Sequence, residues 1–358
     1  NAARQVIYEQ GGTGRGLNIY IEGNELYIGG FNDAADDATT PWLYLFVKTA
    51  IATNTVYTAM LEFDSGAGTI TGYLNGTAFA SVPGVGNLFA HSGDIGIGAM
   101  SDGSRFHTNI INGVSGDNYR FTGKVMEFLS FNTTLTQVQK DIIENYFASK
   151  YNYAPAKELY SYDATHSYEV FGIGRFNSYS HIISRGSGIV LVDEPQSLND
   201  GDYLLIGHDN GDLSTWTTTN VPAAYTGVER LEREWKTDKT NDIGAIRIAI
   251  DTTMLPARPA GYDNFMLFID DDGDLGNGGT RVEILSERYG SFVRIDPVSF
   301  DDGNVFFIGV GRNITVQDGN WNDPATWLLG VPEADEEVTV LHNVTLTSNT
   351  QVGSVDIS

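Results

Sequence analysis

The chain has 358 residues, enough for two or three domains. Its formal net charge of −25 would repel polyanions, so neither nucleic acid nor an anionic membrane surface is an expected partner. Cysteine is absent, which removes disulfides, thiolate metal centres and cysteine nucleophiles. No stretch is apolar for long enough to span a bilayer as a helix, and no membrane insertion of this segment is expected. The 41 glycines with 18 tyrosines and 18 phenylalanines suit many short strands joined by tight turns. The chain starts at Asn1 without a secretory signal pattern, so a mature product or a fragment is expected.

Residues 5–10 open as a strand and run into the glycine-rich turn 11–16. Leu17, Ile19 and Ile21 alternate with Asn18, Tyr20 and Glu22, and Leu26, Tyr27 and Ile28 return after the two-residue turn Gly23-Asn24. Strands are predicted over 42–52 and 55–63, on either side of Thr53-Asn54. Asn75-Gly76, the strongest hairpin signal in the chain, joins 70–74 to 78–82. Residues 95–98 and an apolar-rich strand over 121–131 complete an antiparallel set. A helix follows over about 137–151. Thr136 offers an N-cap with Gln139 three residues on, and Pro155 forbids continuation. Val138, Ile142, Ile143, Tyr146 and Phe147 form its apolar face. Lys140, Asp141, Glu144 and Asn145 are assigned to the polar face. The strand and helix over 121–154 are read as closing the first sandwich, with a boundary at Ala154-Pro155.

From 155 to 311 strand-like runs recur (170–175, 189–192, 203–207, 246–250, 265–269, 305–309), separated by turns such as Asn199-Asp200-Gly201. No useful helical period appears, so a second β-sandwich is expected. Residues 312–358 carry Trp321 and Trp327 around an Asn-Asp-Pro turn, which suggests a packed corner more than a ligand platform. Strands at 338–340, 344–346 and 352–357 are expected to need a partner sheet from beyond the end. The fold class is therefore all-β: tandem antiparallel β-sandwiches over 1–154 and 155–311, then the start of a third β module over 312–358.

GGTGRGLNIYIEGNELYIGG, GYLNGTAF, DIGIGAMSDGSRF and FTGKVMEFLSFNTTLTQVQKDIIENYFASKYN together resemble a laminin-G-like, concanavalin-A-type jelly roll. The version is that of secreted multidomain proteins of Bacteroidetes. FGIGR, DYLLIGHDNGD, RLEREWK and FMLFIDDDGDLGNG resemble a β-domain that follows the jelly roll in such proteins, and 312–358 resembles a glycine- and tryptophan-marked module of type 9 secreted proteins. The resemblance implies further strands ahead of Val6, so the first domain is expected to be incomplete at its N-terminus and to show an exposed sheet edge.

The jelly-roll fold also hosts glucanases, which need two carboxylates facing each other across the sugar. Glu62 and Asp64 begin a suitable strand pattern that Ser65-Gly66-Ala67-Gly68 breaks. Glu127 has Leu129 and Phe131 where partners would stand. The six histidines have no metal-ligand spacing, and no serine sits in a nucleophile elbow. Catalysis is not expected. Calcium is the favoured cofactor candidate: Asp270, Asp272 and Asp274 alternate after a buried-looking strand, although Leu275 and Arg281 break an EF-hand match. A solvated hairpin loop is the favoured reading of the same residues. Asp33, Asp36 and Asp37 with Asp102 form a weaker acidic set. For a glycan rim the candidates are Trp42, Tyr44 and Tyr119, weighed against ordinary pleat packing. Asn75, Asn132, Asn313 and Asn343 lie in N-x-[ST] sequons and are read as incidental.

The expected function is a non-catalytic segment of a large secreted bacterial cell-surface protein, used in adhesion or gliding and exported by the type 9 system. Its expected partners are surface glycans or cell-envelope proteins, and the secretion translocon during export. The alternative is a carbohydrate-binding module of a secreted polysaccharide-degrading enzyme.

Overall fold

The computed structural model describes residues 3–33, 42–91, 93–101, 103–108, 111–112, 119–222, 225, 227–334 and 336–357. Among the described residues the fold is all-β, with one α-helix and several antiparallel sheets. The chain separates into two compact units: residues 1–136 with 153–156, and residues 137–152 with 157–358.

In the first unit, β1 (Gln5–Gly11), β2 (Arg15–Glu22), β3 (Glu25–Asn32), β4 (Trp42–Ala50) and a short β8 (Ile95–Ile97) form a five-stranded sheet in the order β4-β3-β2-β1-β8. Between β4 and β8 in sequence, β5 (Ala59–Asp64), β6 (Thr69–Leu74) and β7 (Thr77–Pro83) make a three-stranded sheet. Asn75 and Gly76 both take positive φ, +49° and +78°, as a type I′ hairpin requires. Alternation sends Leu17, Ile19, Leu26 and Ile28 to one face, where they pack with Val47, Ile70 and Val85. The opposite face is also buried: Val6, Tyr20 and Tyr27 pack under Met100 and Phe106. The two-residue strands β9 (Ser104–Arg105) and β10 (Ile111–Asn112) pair beside them.

Residues 121–131 do not form the predicted strand. Phe121 N–H donates to Gly98 O and Thr122 N–H to the Gln5 side chain, but the stretch joins no sheet. Its pattern is apolar on both faces, which only a strand flanked and covered on both sides can satisfy, and no such cover is present among the described residues.

The helix α1 (Gln137–Tyr151) starts and stops where the sequence places it. Its packing differs from expectation. Val138 and Ile142 join Leu159, Tyr160, Val170, Tyr203 and Leu205 in a core of the second unit, so the helix is not the closing element of the first sandwich. Asp141, Glu144 and Asn145, assigned to the solvent face, are buried. Asn145 shows why. Its amide donates to Asp141 O and Lys157 O, and its Oδ1 accepts from Leu159 N and Tyr160 N, pinning the segment after the helix. Asp141 accepts from Lys157 Nζ and the Tyr203 hydroxyl.

The rest of the second unit is a two-sheet sandwich. Its strands are β11 (Tyr168–Phe176), β12 (Tyr179–His181), β13 (Ile183–Gly186), β14 (Val190–Asp193), β15 (Tyr203–His208), β16 (Val228–Arg230), β17 (Trp235–Thr240), β18 (Ile246–Asp251), β19 (Asn264–Asp270), β20 (Arg281–Ile284), β21 (Glu287–Tyr289), β22 (Phe292–Val298) and β23 (Val305–Gly311). One sheet runs β12-β11-β15-β17-β23-β19-β20, with β16 also on β23. The other runs β13-β14-β18-β22-β21. Between them lie Ile173, Leu204, Ile206, Trp235, Ile248, Ile250, Leu267 and Ile308. Near-continuous burial along β15, β19 and β23 marks them as central strands, covered on both faces.

After β23 the pairing changes sense. β24 (Asn313–Ile314), β26 (Glu337–Val340) and β28 (Ser354–Ile357) form a parallel three-stranded ladder. β25 (Gly319–Asn320) pairs with β27 (Val344–Thr345), also parallel. Asn313 lies beside Val338, and Val338 beside Val355. These strands therefore find partners within the chain, contrary to the expectation of a sheet supplied from beyond the end. Parallel neighbours need a crossover, and here each crossover is a coil. Trp321 and Trp327 meet edge to face at 4.7 Å inside that coil, with Trp327 Nε1 donating to Trp321 O and Val338 packed beside them. The packed corner is as predicted.

Candidate functional site

The acidic loop after β19 is built by short-range hydrogen bonds. Asp270 is buried. Its Oδ1 accepts from Asp272 N at 3.0 Å and Gly273 N at 2.8 Å, and its Oδ2 accepts from Thr280 Oγ1 at 2.7 Å. Asp272 Oδ1 accepts from Asp274 N and its Oδ2 from the Asn277 amide. Asp274 Oδ1 accepts from Gly276 N. Each carboxylate thus closes the turn that follows it, as Asp does in loops. The Asp274 N–H and the Asn277 amide hold the Asp272 carboxyl below its ordinary range. Asn304 ties the loop to β23 by donating to Asp271 Oδ1. Asp270, Asp272 and Asp274 do not converge: among the described residues no group of three or more His, Asp or Glu is placed to hold a metal ion. Of the weaker acidic set, Asp36, Asp37 and Asp102 lie outside the described residues. Asp33 is ion-paired to Arg105.

The three rim aromatics do not share a face. Trp42 is buried in the core between the two sheets of the first unit, stacked on Phe63, with its indole N–H donating to Asn87 O at 3.1 Å. Tyr119 packs edge to face on Phe106, on the opposite side of the five-stranded sheet. Tyr44 is half-buried and sits at an irregularity of β4 with φ +55°. A platform needs an exposed ring face, and Trp42 has none because its position on β4 points into the sandwich. Of the candidate carboxylates, Glu62 accepts from the Tyr73 hydroxyl across the β5–β6 pair, and Asp64 Oδ1 accepts from Ala67 N in the turn. Both are engaged locally.

Two polar clusters went unread in the sequence. In the first unit the β2–β3 hairpin sets Tyr20 directly opposite Tyr27, with ring centroids 5.0 Å apart. His107 lies flat on Tyr27 at 4.2 Å, and its Nδ1 is 2.5 Å from the Tyr20 hydroxyl. That hydroxyl already accepts the His107 backbone N–H, so its proton points to Nδ1 and the ring proton is assigned to Nε2. Burial lowers the His107 pKa and raises those of Tyr20 and Tyr27. Arg4 pairs with Glu22 at 2.9 Å and stacks on Phe106, and Lys48 pairs with Glu25. The alternation in β2 announces the tyrosines; nothing local announces His107.

In the second unit, His208 is buried between Tyr168 and Trp235. Its Nδ1 accepts from Asn210 N–H, so the ring proton lies on Nε2, 3.3 Å from Glu169 Oε2. His166 bonds Thr165 through Nδ1, while its Nε2 is buried without a hydrogen-bond partner among the described residues. Burial pushes His166 down to about 4, and lowers His208 as well. Both imidazoles are neutral parts of the packing at neutral pH.

Residues 188–304 are similar to a family described as a domain of unknown function (DUF8202). The match runs from just before β14 to just before β23, so it takes in the acidic loop and most of the five-stranded sheet. No curated protein and no solved structure matches the chain.

Proposed function

We propose that the chain is a non-catalytic segment of a large secreted bacterial cell-surface protein, exported by the type 9 system and used in adhesion or gliding. What supports this reading is the use to which the polar groups are put. The carboxylates and guanidinium groups of the second unit tie loops and strands to one another: Asp193 takes Arg247 in a two-pronged pair, Asp251 takes Arg185, and the acidic loop closes on itself. Such β-units in series are stiff modules, suited to a stalk. The motif resemblance supplies the cell-surface setting, and the parallel ladder over 313–357 adds a coil that can be stacked.

Surface glycans stay within this proposal as partners still to be assayed. A carbohydrate-binding module is the competing reading, and the separation of Trp42 from Tyr119 counts against it. The test is deletion of this segment from its host protein, followed by measurement of cell adhesion and gliding, with a glycan array run on the purified chain. Loss of adhesion or gliding on deletion is expected, and any glycan bound on the array would be a surface partner within this proposal. Unchanged adhesion and gliding with saturable glycan binding would overturn the proposal.

A further inference from the structure

At the last position of β15, His208 is 2% exposed, and both of its ring nitrogens are in use. Nε2 faces Glu169 Oε2 at 3.3 Å, and Nδ1 accepts the Asn210 backbone N–H at 3.0 Å. Regular alternation would turn Glu169 away from the face that Tyr168 and His208 share. Instead the register of β11 shifts between Tyr168 and Phe171, and Glu169 takes φ +49°. Such a conformation is strained for a residue with a Cβ, and strain of this kind collects at switch regions. What Nδ1 holds is the start of a strap over residues 209–216. Leu213 and Trp216 of the strap pack half-buried against the inter-sheet core. The backbone of 212–216 makes no hydrogen bond to other backbone among the described residues, so the strap is fastened at its ends. At the near end Arg233 donates to Gly211 O at 3.1 Å and to Asn210 Oδ1 at 3.4 Å, and Asp209 Oδ1 accepts from Gly211 N and Glu234 N. At the far end the Trp216 indole N–H donates to Ala257 O at 3.0 Å.

We propose that His208 is an acid-operated latch for this strap: a proton on Nδ1 breaks the bond to Asn210, releases residues 209–216 and uncovers Leu213 and Trp216. A neutral imidazole accepts at one nitrogen, whereas an imidazolium donates at both. The new Nδ1–H would point at the Asn210 N–H, donor against donor, so the Asn210 peptide has to move off. The same positive charge faces the Arg233 guanidinium, the other fastener of Asn210 and Gly211, so both holds weaken together. Two carboxylates oppose this. Glu169 favours the imidazolium, but it is half exposed and its bond to Nε2–H exists in either state. Asp209 favours it too, with one oxygen already committed to Gly211 N and Glu234 N. His166, the remaining titratable neighbour, takes up its own proton only near pH 4. Burial, and then Arg233, lowers the His208 pKa, as a latch that is closed at neutral pH requires. A released His208 recovers its ordinary value of about 6.5. Opening therefore grows about tenfold per pH unit below 6.5, until the closed form is itself protonated, and is flat above 6.5.

Hydrogen exchange of the intact chain, followed by NMR from pH 7 downward and referred to unfolded-chain rates at each pH, tests this. Protection of the Asn210 amide and the Trp216 indole N–H should fall about tenfold per pH unit below 6.5, while the Leu205 and Ile206 amides of β15 keep theirs. In His208→Asn the amide oxygen stands in for Nδ1 as an acceptor that takes no proton, so protection should stay flat. In His166→Asn the fall should persist. Constant protection at Asn210 in the wild-type chain would overturn the proposal. So would a fall that survives His208→Asn or vanishes in His166→Asn, a fall at Asn210 with an unmoved Trp216 indole, or an equal fall along β15, which is general acid unfolding. The wild-type series needs no substitution, so it decides the matter even where a variant does not fold.

Discussion

Replacing Asn145 with alanine should unfasten the helix from the second unit. The side chain satisfies four backbone groups: Asp141 O, Lys157 O, Leu159 N and Tyr160 N, at 2.8, 2.9, 2.8 and 3.2 Å. Asp141 O also lies within the helix and keeps its normal partner there. The other three groups are left on a segment where Leu159 and Tyr160 are 4% and 2% exposed, so water reaches them poorly. A buried backbone group stripped of its partner costs about 1–3 kcal/mol, and relaxation of the segment recovers part of the total, so a loss of about 3–5 kcal/mol is expected. Asn145→Asp keeps the acceptor for both N–H groups but sets a carboxylate against two carbonyl oxygens, and should cost as much or more. The assay is native-state hydrogen exchange of the amides of α1 and residues 157–160, because a chain of two units need not unfold in one step. A loss below about 1 kcal/mol would refute the claim that this side chain fastens the helix.

Acid should weaken the second unit before it titrates most carboxylates. His166 is depressed by burial to about 4, from 6.5 when unfolded, so the unfolded chain binds its proton first as pH falls. The stability it supports is complete above pH 6.5 and is lost on descent to about pH 4, up to about 3 kcal/mol. Urea midpoints across that range should fall, and more gently in His166→Asn. Trp327→Ala removes one half of the tryptophan pair and the hydrogen bond to Trp321 O, at a cost of about 3–5 kcal/mol. Limited proteolysis should then cut within 313–357 while the sandwich core persists. Adding millimolar calcium, or EDTA, should shift Tm by less than about 1 °C, because the Asp270, Asp272 and Asp274 carboxylates are taken by the loop's own donors. A calcium-dependent rise of several degrees would show that the loop rearranges to bind it.

What the sequence discloses is what neighbours along the chain decide. Asn75-Gly76 fixes its turn because only a few residues tolerate two successive positive φ angles, and the helix ends lie where Thr136 and Pro155 predict. Burial decided by distant partners is hidden. Asn145 looks like a surface residue until residues 157–160 arrive against it, and a polar stripe has the same period whether water or backbone meets it. The stretch 121–131 fails for the opposite reason: its composition is that of a central strand, but composition cannot supply the flanking strands. Parallel pairing of β26 with β28 was out of reach too, since parallel and antiparallel strands use the same residues. For the site, the turn-closing role of the acidic loop is legible as Asp and Gly spacing. The placing of His107 on Tyr27 brings together residues eighty positions apart, and no local pattern encodes it.

One residue, Arg312, separates β23 from β24. So short a tether has no slack. A pull on the ladder is delivered at once to β23, which is hydrogen-bonded along its length to β19 and, on its other edge, to β16 and β17. To free β23 along its own axis, many of those bonds must shear together instead of parting one by one. The join between the coil and the sandwich is therefore placed where the second unit is best able to resist tension, and a force applied there should unravel the coil before it extracts the strand.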